Sequence, residues 1–345
     1  MKNFQLTLVP MGIALLVAGC GGGGSTSSNT GGGIPTAAVQ ITSSNATTVA
    51  KGAMTPSQST AQTGSGMAGV VGVVVQPVTR SRSIREIALA EFARARSMKF
   101  PPATVVGATQ MSVSNCATSG TMTLTLNDAN NSQTFDVGDS YTIAFSNCVG
   151  NGYTDNGSMT FSISSLSGGT GVAGSTGTPQ APFVTAFTLT FNNYSSTYLS
   201  STESINGDIS FSTSDDGTNT TATMYGTSLT VSSTAVGTSS MTNYSISYTG
   251  ANTPTTSTPY SFSVQMTVAD STMGGSVTIS TPTAFTGVGI SNPTAGQMVI
   301  TGANNSTLTL TANSDGLTLT MVVDEDGAAG PIAPVALPDT TWTAI

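Results

Sequence analysis

Residues 262–268 read Phe262-Ser263-Val264-Gln265-Met266-Thr267-Val268, an unbroken alternation of apolar and polar side chains. In an extended chain successive side chains point to opposite faces, so Phe262, Val264, Met266 and Val268 share one side and Ser263, Gln265 and Thr267 the other. Upstream the rhythm recurs in Met122/Leu124/Leu126, Tyr141/Ile143/Phe145, Met159/Phe161/Ile163, Phe187/Leu189/Phe191, Ile209/Phe211, Leu229/Val231 and Tyr244/Ile246/Tyr248. Downstream it returns in Val277/Ile279, Leu308/Leu310 and Leu317/Leu319/Met321/Val323. Ser and Thr fill most of the intervening positions. The pattern predicts about a dozen antiparallel strands, apolar on one face and hydroxylated on the other. Asp155-Asn156-Gly157, Asn206-Gly207 and Asp315-Gly316 read as turns between the runs, and Thr341-Trp342-Thr343-Ala344-Ile345 as a final short strand.

A sheet with one apolar face must hide it by closing into a barrel, curling, or folding over as a sandwich. The expected fold of residues 108–345 is therefore mainly β: one large antiparallel one-sided sheet curled into a barrel or half-barrel, with a sandwich as the alternative. A membrane-spanning barrel is disfavoured, because its lipid face needs aromatic girdles and aromatics are 6% of this chain. Residues 36–107 read as an N-terminal segment with a short helix and a basic helix at about 83–98. Ser83-Ile84-Arg85-Glu86 forms a capping-box start, and Ile87, Ala88, Phe92, Ala95 and Met98 follow at helical spacing. Pro101-Pro102 stops that helix. Its apolar stripe is expected to pack on the sheet, with attachment to a membrane surface as the competing reading. Residues 66–78 read as a strand or extended lead-in, and 55–65 and 169–182 as loops.

Charge is distributed unevenly along the 345 residues. There are 8 Lys+Arg, 16 Asp+Glu and no His, for a net charge of −8. No Lys or Arg lies beyond Lys99, whereas 14 of the carboxylates do. The stretch 80–99 carries six cations (Arg80, Arg82, Arg85, Arg94, Arg96, Lys99) against Glu86 and Glu91. Without histidine there is no Ser-His-Asp or Cys-His nucleophile and no imidazole metal site. Nucleic acid is not an expected partner, because no cation excess exists to displace phosphate counterions. The basic stretch is suited to meet the acidic domain or an anionic surface.

Residues 1–19 combine Lys2, an apolar run broken by Pro10, and small residues, which is the plan of a signal peptide. Val17-Ala18-Gly19-Cys20 resembles the bacterial lipobox, which implies cleavage before Cys20 and a lipid on its sulfur that tethers the chain to a membrane. Residues 20–35, beginning Cys20-Gly21-Gly22-Gly23-Gly24-Ser25, supply a flexible tether. Gly21 rather than Asp at the second mature position implies the outer membrane. In that oxidising compartment Cys116 and Cys148 are expected to pair. A hairpin pairing Leu126 with Gly138 would also set Cys116 opposite Cys148.

The loop from Asp128 to Asp139 resembles the calcium loop of EF-hand and dockerin-type repeats. Asp128, Asn130, Ser132, Asp136 and Asp139 are the candidate ligands of a structural Ca²⁺, which would raise the melting temperature. Gln133 replaces the usual turn glycine and Asp139 the usual Glu, and the competing reading is a loop knitted by Asx turns. Asp324-Glu325-Asp326-Gly327 raises the same question more weakly. Lipobox, Gly-rich tether, Cys-bracketed hairpin, Pro293-Thr294-Ala295-Gly296-Gln297-Met298-Val299-Ile300-Thr301-Gly302 and Val323-Asp324-Glu325-Asp326-Gly327 together resemble uncharacterised proteobacterial β-rich envelope lipoproteins. That resemblance implies an envelope location and no established activity.

Three functions follow as expectations. The first is a non-catalytic structural or adhesive lipoprotein of the outer membrane. The second is a carrier of lipid or another apolar ligand in a half-barrel lined by Phe187, Phe191, Phe211 and Phe262, similar to the unclosed barrels of periplasmic lipoprotein carriers. The third is a carboxylate-dependent hydrolase using Asp215/Asp216 or Asp324/Asp326, disfavoured because Asp215 and Asp216 sit in a turn-like Ser-Asp-Asp-Gly.

Overall fold

The computed structural model describes residues 36–61, 109–150, 152–168, 182–234, 237–251, 257–289, 291–327 and 330–344. The expected signal peptide, Cys20, the expected tether, the extended lead-in expected at 66–78, the basic helix expected at 83–98 and residues 169–181 of the expected loop lie outside the described residues.

Among the described residues one helix, α1 (Ala46–Ala61), precedes fourteen strands: β1 (Thr109–Asn115), β2 (Ser119–Asn127), β3 (Ser140–Gly150), β4 (Tyr153–Gly168), β5 (Phe183–Tyr198), β6 (Ser201–Asp215), β7 (Asn219–Ser233), β8 (Gly237–Ala251), β9 (Pro259–Asp270), β10 (Gly275–Val288), β11 (Ala295–Thr301), β12 (Thr307–Ala312), β13 (Thr318–Asp324) and β14 (Val335–Thr341). Each strand pairs antiparallel with its neighbours in the chain, in the order β1 to β14. Since β1 and β14 do not pair with each other, the sheet is open. All fourteen strands belong to one sheet, so the sandwich alternative is excluded.

Alternation became burial. In β9, Phe262, Val264, Met266 and Val268 are each at most 2% exposed. The apolar faces of β3 through β13 form one continuous cluster with Ile41, Ala46, Val49, Ala50 and Ala53. A flat sheet of this width would leave that face wet, so the sheet curls, as expected of a half-barrel. The helix contributes a narrow stripe of small side chains and touches β8 and β9. It extends through residues 55–61, expected as loop, and its stripe of Ala and Val gives only a weak helical signal.

The bend comes from a line of bulges. Asn147 in β3, Asn193 in β5 and Asn243 in β8 have positive φ, and register shifts flank each of them. Each inserts an extra residue, which turns the strand and flips its inside-outside parity. The neighbouring strand catches the backbone N–H released by two of them: Asn147 N–H donates to Asn156 Oδ1 at 2.8 Å and Asn193 N–H to Asn206 Oδ1 at 3.0 Å. In β7, Thr227 and Ser228 N–H donate to the Asp208 carboxylate at 3.0 and 3.3 Å.

Three expectations are corrected here. Asn156-Gly157 and Asn206-Gly207 are not turns but lie inside β4 and β6, where the Asn side chain and Gly backbone serve the bulge opposite. Only Asp315-Gly316 sits between strands, β12 and β13. The last strand is β14, and Trp342–Ala344 forms a 3₁₀ turn that buries Trp342 against Phe285. Leu126 pairs with Tyr141 rather than Gly138. The disulfide nevertheless forms: Cys116, in the β1–β2 turn, joins Cys148 of β3, with Cα atoms 5.4 Å apart.

Candidate functional site

In a meander, alternate turns fall at opposite ends of the sheet. The turns after β3, β5, β7, β9, β11 and β13 share one end, and two features of chemical interest gather there.

The first is a strap made of residues 37–45. Val39 N–H donates to Ser276 O and Ser276 N–H to Ala37 O, both at 2.9 Å. Ala303 N–H donates to Val39 O at 2.8 Å, and Ile41 N–H to the buried Ser306 hydroxyl at 2.9 Å, which itself donates to Ala303 O at 2.7 Å. Ser43 gives both its N–H and its hydroxyl to Glu325 Oε1, at 2.9 and 3.0 Å, and Gln40 Nε2 donates to Glu325 O. The strap thus crosses the β9–β10, β11–β12 and β13–β14 connections before α1 begins. Two quoted motifs acquire a physical role from it. A Cβ on Gly302 would lie 2.1 Å from Val39 O, and Gly327, at φ 80°, passes beside Asn305.

The second feature is a polar row on the core-facing side of β3 to β7. Cys148, Asp155, Ser196, Glu203 and Ser233 are directly opposite one another, strand to strand. Residues paired in an antiparallel ladder share a face, so these five side chains line up. Tyr194, which stacks near Phe145 and Phe191, marks that face as the inner one, and its hydroxyl donates to Asp155 Oδ1 at 3.3 Å. Tyr153 and Tyr198, with ring centroids 4.9 Å apart, border the row towards the turns. Asp155 and Glu203 stand two strand spacings apart, about 10 Å. The row is half-buried except for Ser233, which is buried. It offers carboxylate acceptors and hydroxyls. Neither serine has an imidazole beside it, since the chain has no histidine. The sequence reading missed this row because taking Asn156-Gly157 as a turn removed Asp155 from the strand of Met159 and Phe161. Its odd-numbered parity with those residues was the available signal.

The loop between β2 and β3 uses its oxygens internally. Asp128 accepts from Ser132 and Gln133 N–H at 3.1 and 3.0 Å, and Asp139 accepts from Ala129 and Asp136 N–H at 2.8 and 2.7 Å. Asn130 Oδ1 accepts from Ser132 N–H, Asn130 Nδ2 donates to Asp136 Oδ1, and the Ser132 hydroxyl donates to Thr134 O. These are Asx-type closures, the second of the two readings. Burial raises the Asp139 carboxyl above its usual range, the two backbone N–H bonds oppose that, and the nearby Asp136 and Asp128 charges add to it. Among the described residues no three His, Cys, Asp or Glu side chains converge closely enough to hold a metal ion. The Asp128 and Asp139 carboxylates, two of the candidate ligands, are each engaged by two main-chain N–H groups.

Phe187, Phe191, Phe211 and Phe262 are each at most 2% exposed. Phe187 packs on Phe161 and Phe211 at 5.0 and 5.1 Å, and Phe262 on Phe285 at 5.0 Å. Asp215 is buried and accepts from Gly217 N–H and the Thr220 hydroxyl, while exposed Asp216 accepts from Thr218 and Asn219 N–H. Both close the β6–β7 turn. Asp324 is buried, and Asp326 Oδ2 accepts from Ile332 N–H at 3.0 Å. Hence the two carboxylate pairs considered for hydrolysis are engaged in main-chain turns.

No protein-family description, curated protein sequence or solved structure matches the chain.

Proposed function

We propose that this chain is a lipid-anchored protein of the bacterial outer membrane whose β domain has a non-catalytic, structural or adhesive role. The observation that carries this reading is the packing of the apolar face. Among the described residues, the phenylalanines that would line a ligand tunnel are buried and pack against other aromatic rings. Two further observations support it. The hydroxyl face is self-satisfied by cross-strand pairs such as Thr142–Thr160, Thr188–Ser210 and Ser247–Ser263, at 2.7 to 2.8 Å. The carboxylates of the turns are spent on backbone N–H groups. A hydroxylated, cation-free surface on a disulfide-pinned sheet is suited to display outside a membrane.

The anchor rests on the lipobox-like Val17-Ala18-Gly19-Cys20. Labelling cells with an alkynyl fatty acid is expected to tag the wild-type chain and not Cys20→Ala, which should leave the membrane fraction. Native mass spectrometry of protein extracted from its own membrane is expected to give the mass of the lipidated chain, or a whole multiple of it, with no further lipid. A second, noncovalently retained lipid would instead establish the carrier reading.

A further inference from the structure

Among the described residues the sheet ends at β1 and β14, and these two edges are not alike. β14 carries Pro338 and Asp339, a register shift against β13, and Asp339 oxygens engaged by Thr320 and Asn313. Proline and charge are the usual means of keeping another strand from adding to an edge. β1 has neither. Its sequence, Thr109-Gln110-Met111-Ser112-Val113-Ser114-Asn115, is uncharged and free of proline, and it pairs with β2 without a bulge. Met111 and Val113 are opposite Thr125 and Thr123, so they stand on the hydroxyl face, where they are 72% and 61% exposed. The apolar alternation of every interior strand is therefore inverted in β1.

We propose that β1 is a docking edge for a second copy of this chain, the two β1 strands pairing antiparallel about a two-fold axis at Ser112. Three properties of the strand favour this occupant. First, the backbone parity is right. Cys116 N–H donates to Gly120 O in the same register as the rest of the β1–β2 ladder. Alternate residues of an antiparallel strand direct both backbone groups to one neighbour, so Ser114, Ser112 and Gln110 face β2, and Asn115, Val113, Met111 and Thr109 face outward. A two-fold at Ser112 then makes Met111 and the second copy's Val113 a hydrogen-bonded pair, twice over. Second, the side chains match: the same operation puts each exposed Met111 beside an exposed Val113, an apolar cross-strand contact on an otherwise polar face. Third, beyond Lys99 every charge of the chain is negative, so copies repel, and an edge without carboxylates is where that repulsion is least. An isologous two-fold contact closes on itself and gives a dimer rather than a fibre.

Cysteine scanning on the full chain in its own membrane tests the register. Ser112 would face its own copy at a non-hydrogen-bonded site, with Cα atoms about 4.5 Å apart, within the roughly 4.4–6.8 Å a disulfide spans. Ser112→Cys is expected to give an oxidised dimer on mild oxidation. Ser114→Cys would lie about 13 Å from its counterpart and is expected to stay monomeric. Val113→Pro removes only an outward N–H, so it should keep the circular dichroism of the wild type while light scattering of the detergent-extracted chain falls from dimer to monomer mass. A monomeric wild type, equal cross-linking at 112 and 114, or a folded Val113→Pro that remains dimeric would each overturn the proposal. None of these readouts depends on the lipid anchor, so a wild-type chain that takes up no fatty-acid label would sink the location proposed above and leave this inference standing.

Discussion

At φ 82°, Gly157 sits in a backbone region closed to most side chains, and a Cβ there would fall 2.1 Å from the Asn193 carbonyl oxygen. Gly157→Ala is expected to lower stability by about 2–4 kcal/mol, read as a reduced urea midpoint with an unchanged slope. Asn206→Ala is expected to cost less, about 0.5–1.5 kcal/mol, because the exposed Asn193 N–H it releases can bond to water. The carboxylates set the acid behaviour. Backbone N–H bonds from Leu317 and Thr318, with the Thr318 hydroxyl, hold Asp315 below its ordinary value of 3.8. A depressed folded value means that its contribution is complete above 3.8 and is lost as pH falls through the folded value. The stability gap between wild type and Asp315→Asn is therefore expected to be widest near neutrality and to narrow below pH 3.8, in urea titrations along a pH series. Asp139 has the opposite sign: burial raises it, so its ionisation opposes folding as pH climbs from 3.8 through the raised value.

The element least legible in the sequence is the strap. Nothing in residues 37–45 has strand or helix periodicity, and its partners lie about 240 to 285 positions away. It is specified by single hydrogen bonds and by Gly302, whose missing side chain leaves room for Val39. Ser306→Ala strands the Ile41 N–H in a buried site, while the Ala303 carbonyl keeps the backbone N–H of residue 306, for a loss of about 1–3 kcal/mol. Faster hydrogen exchange at Ile41, with little change in the centre of β9, is the expected signature; uniform protection would mean the strap does not depend on this hydroxyl. The strands themselves were readable because period two survives any tertiary context. Their ends were not, since Asn-Gly serves a hairpin turn and a mid-strand bulge equally well, and only the partner strand decides which. The polar row of Asp155, Ser196, Glu203 and Ser233 was hidden for the same reason. Bulges at Asn147 and Asn193 shift parity between neighbouring strands, and the alignment exists only once register is known.

At the level of the whole molecule, each strand of the described residues pairs with its neighbours in the chain, while the disulfide and the strap supply links of longer range. Cys116–Cys148 closes a separation of 32 residues at the β1 side. Cys116→Ser with Cys148→Ser is expected to destabilise by about 4 kcal/mol in the chain-entropy picture, with unfolding by urea as the measure. That effect should concentrate in β1 to β4, because the strap secures the opposite half. Sequence alone determined the composition of each face, the antiparallel class, the cysteine pair and the exclusion of histidine chemistry, all of which depend on local alternation and residue identity. The tertiary structure decided which register each pair takes, that the sheet stays open, that α1 and the strap pack across one half of it, and that the phenylalanines pack ring against ring on the buried face. Those outcomes depend on where bulges place distant side chains against one another, a property of pairs of strands that no single stretch of sequence contains.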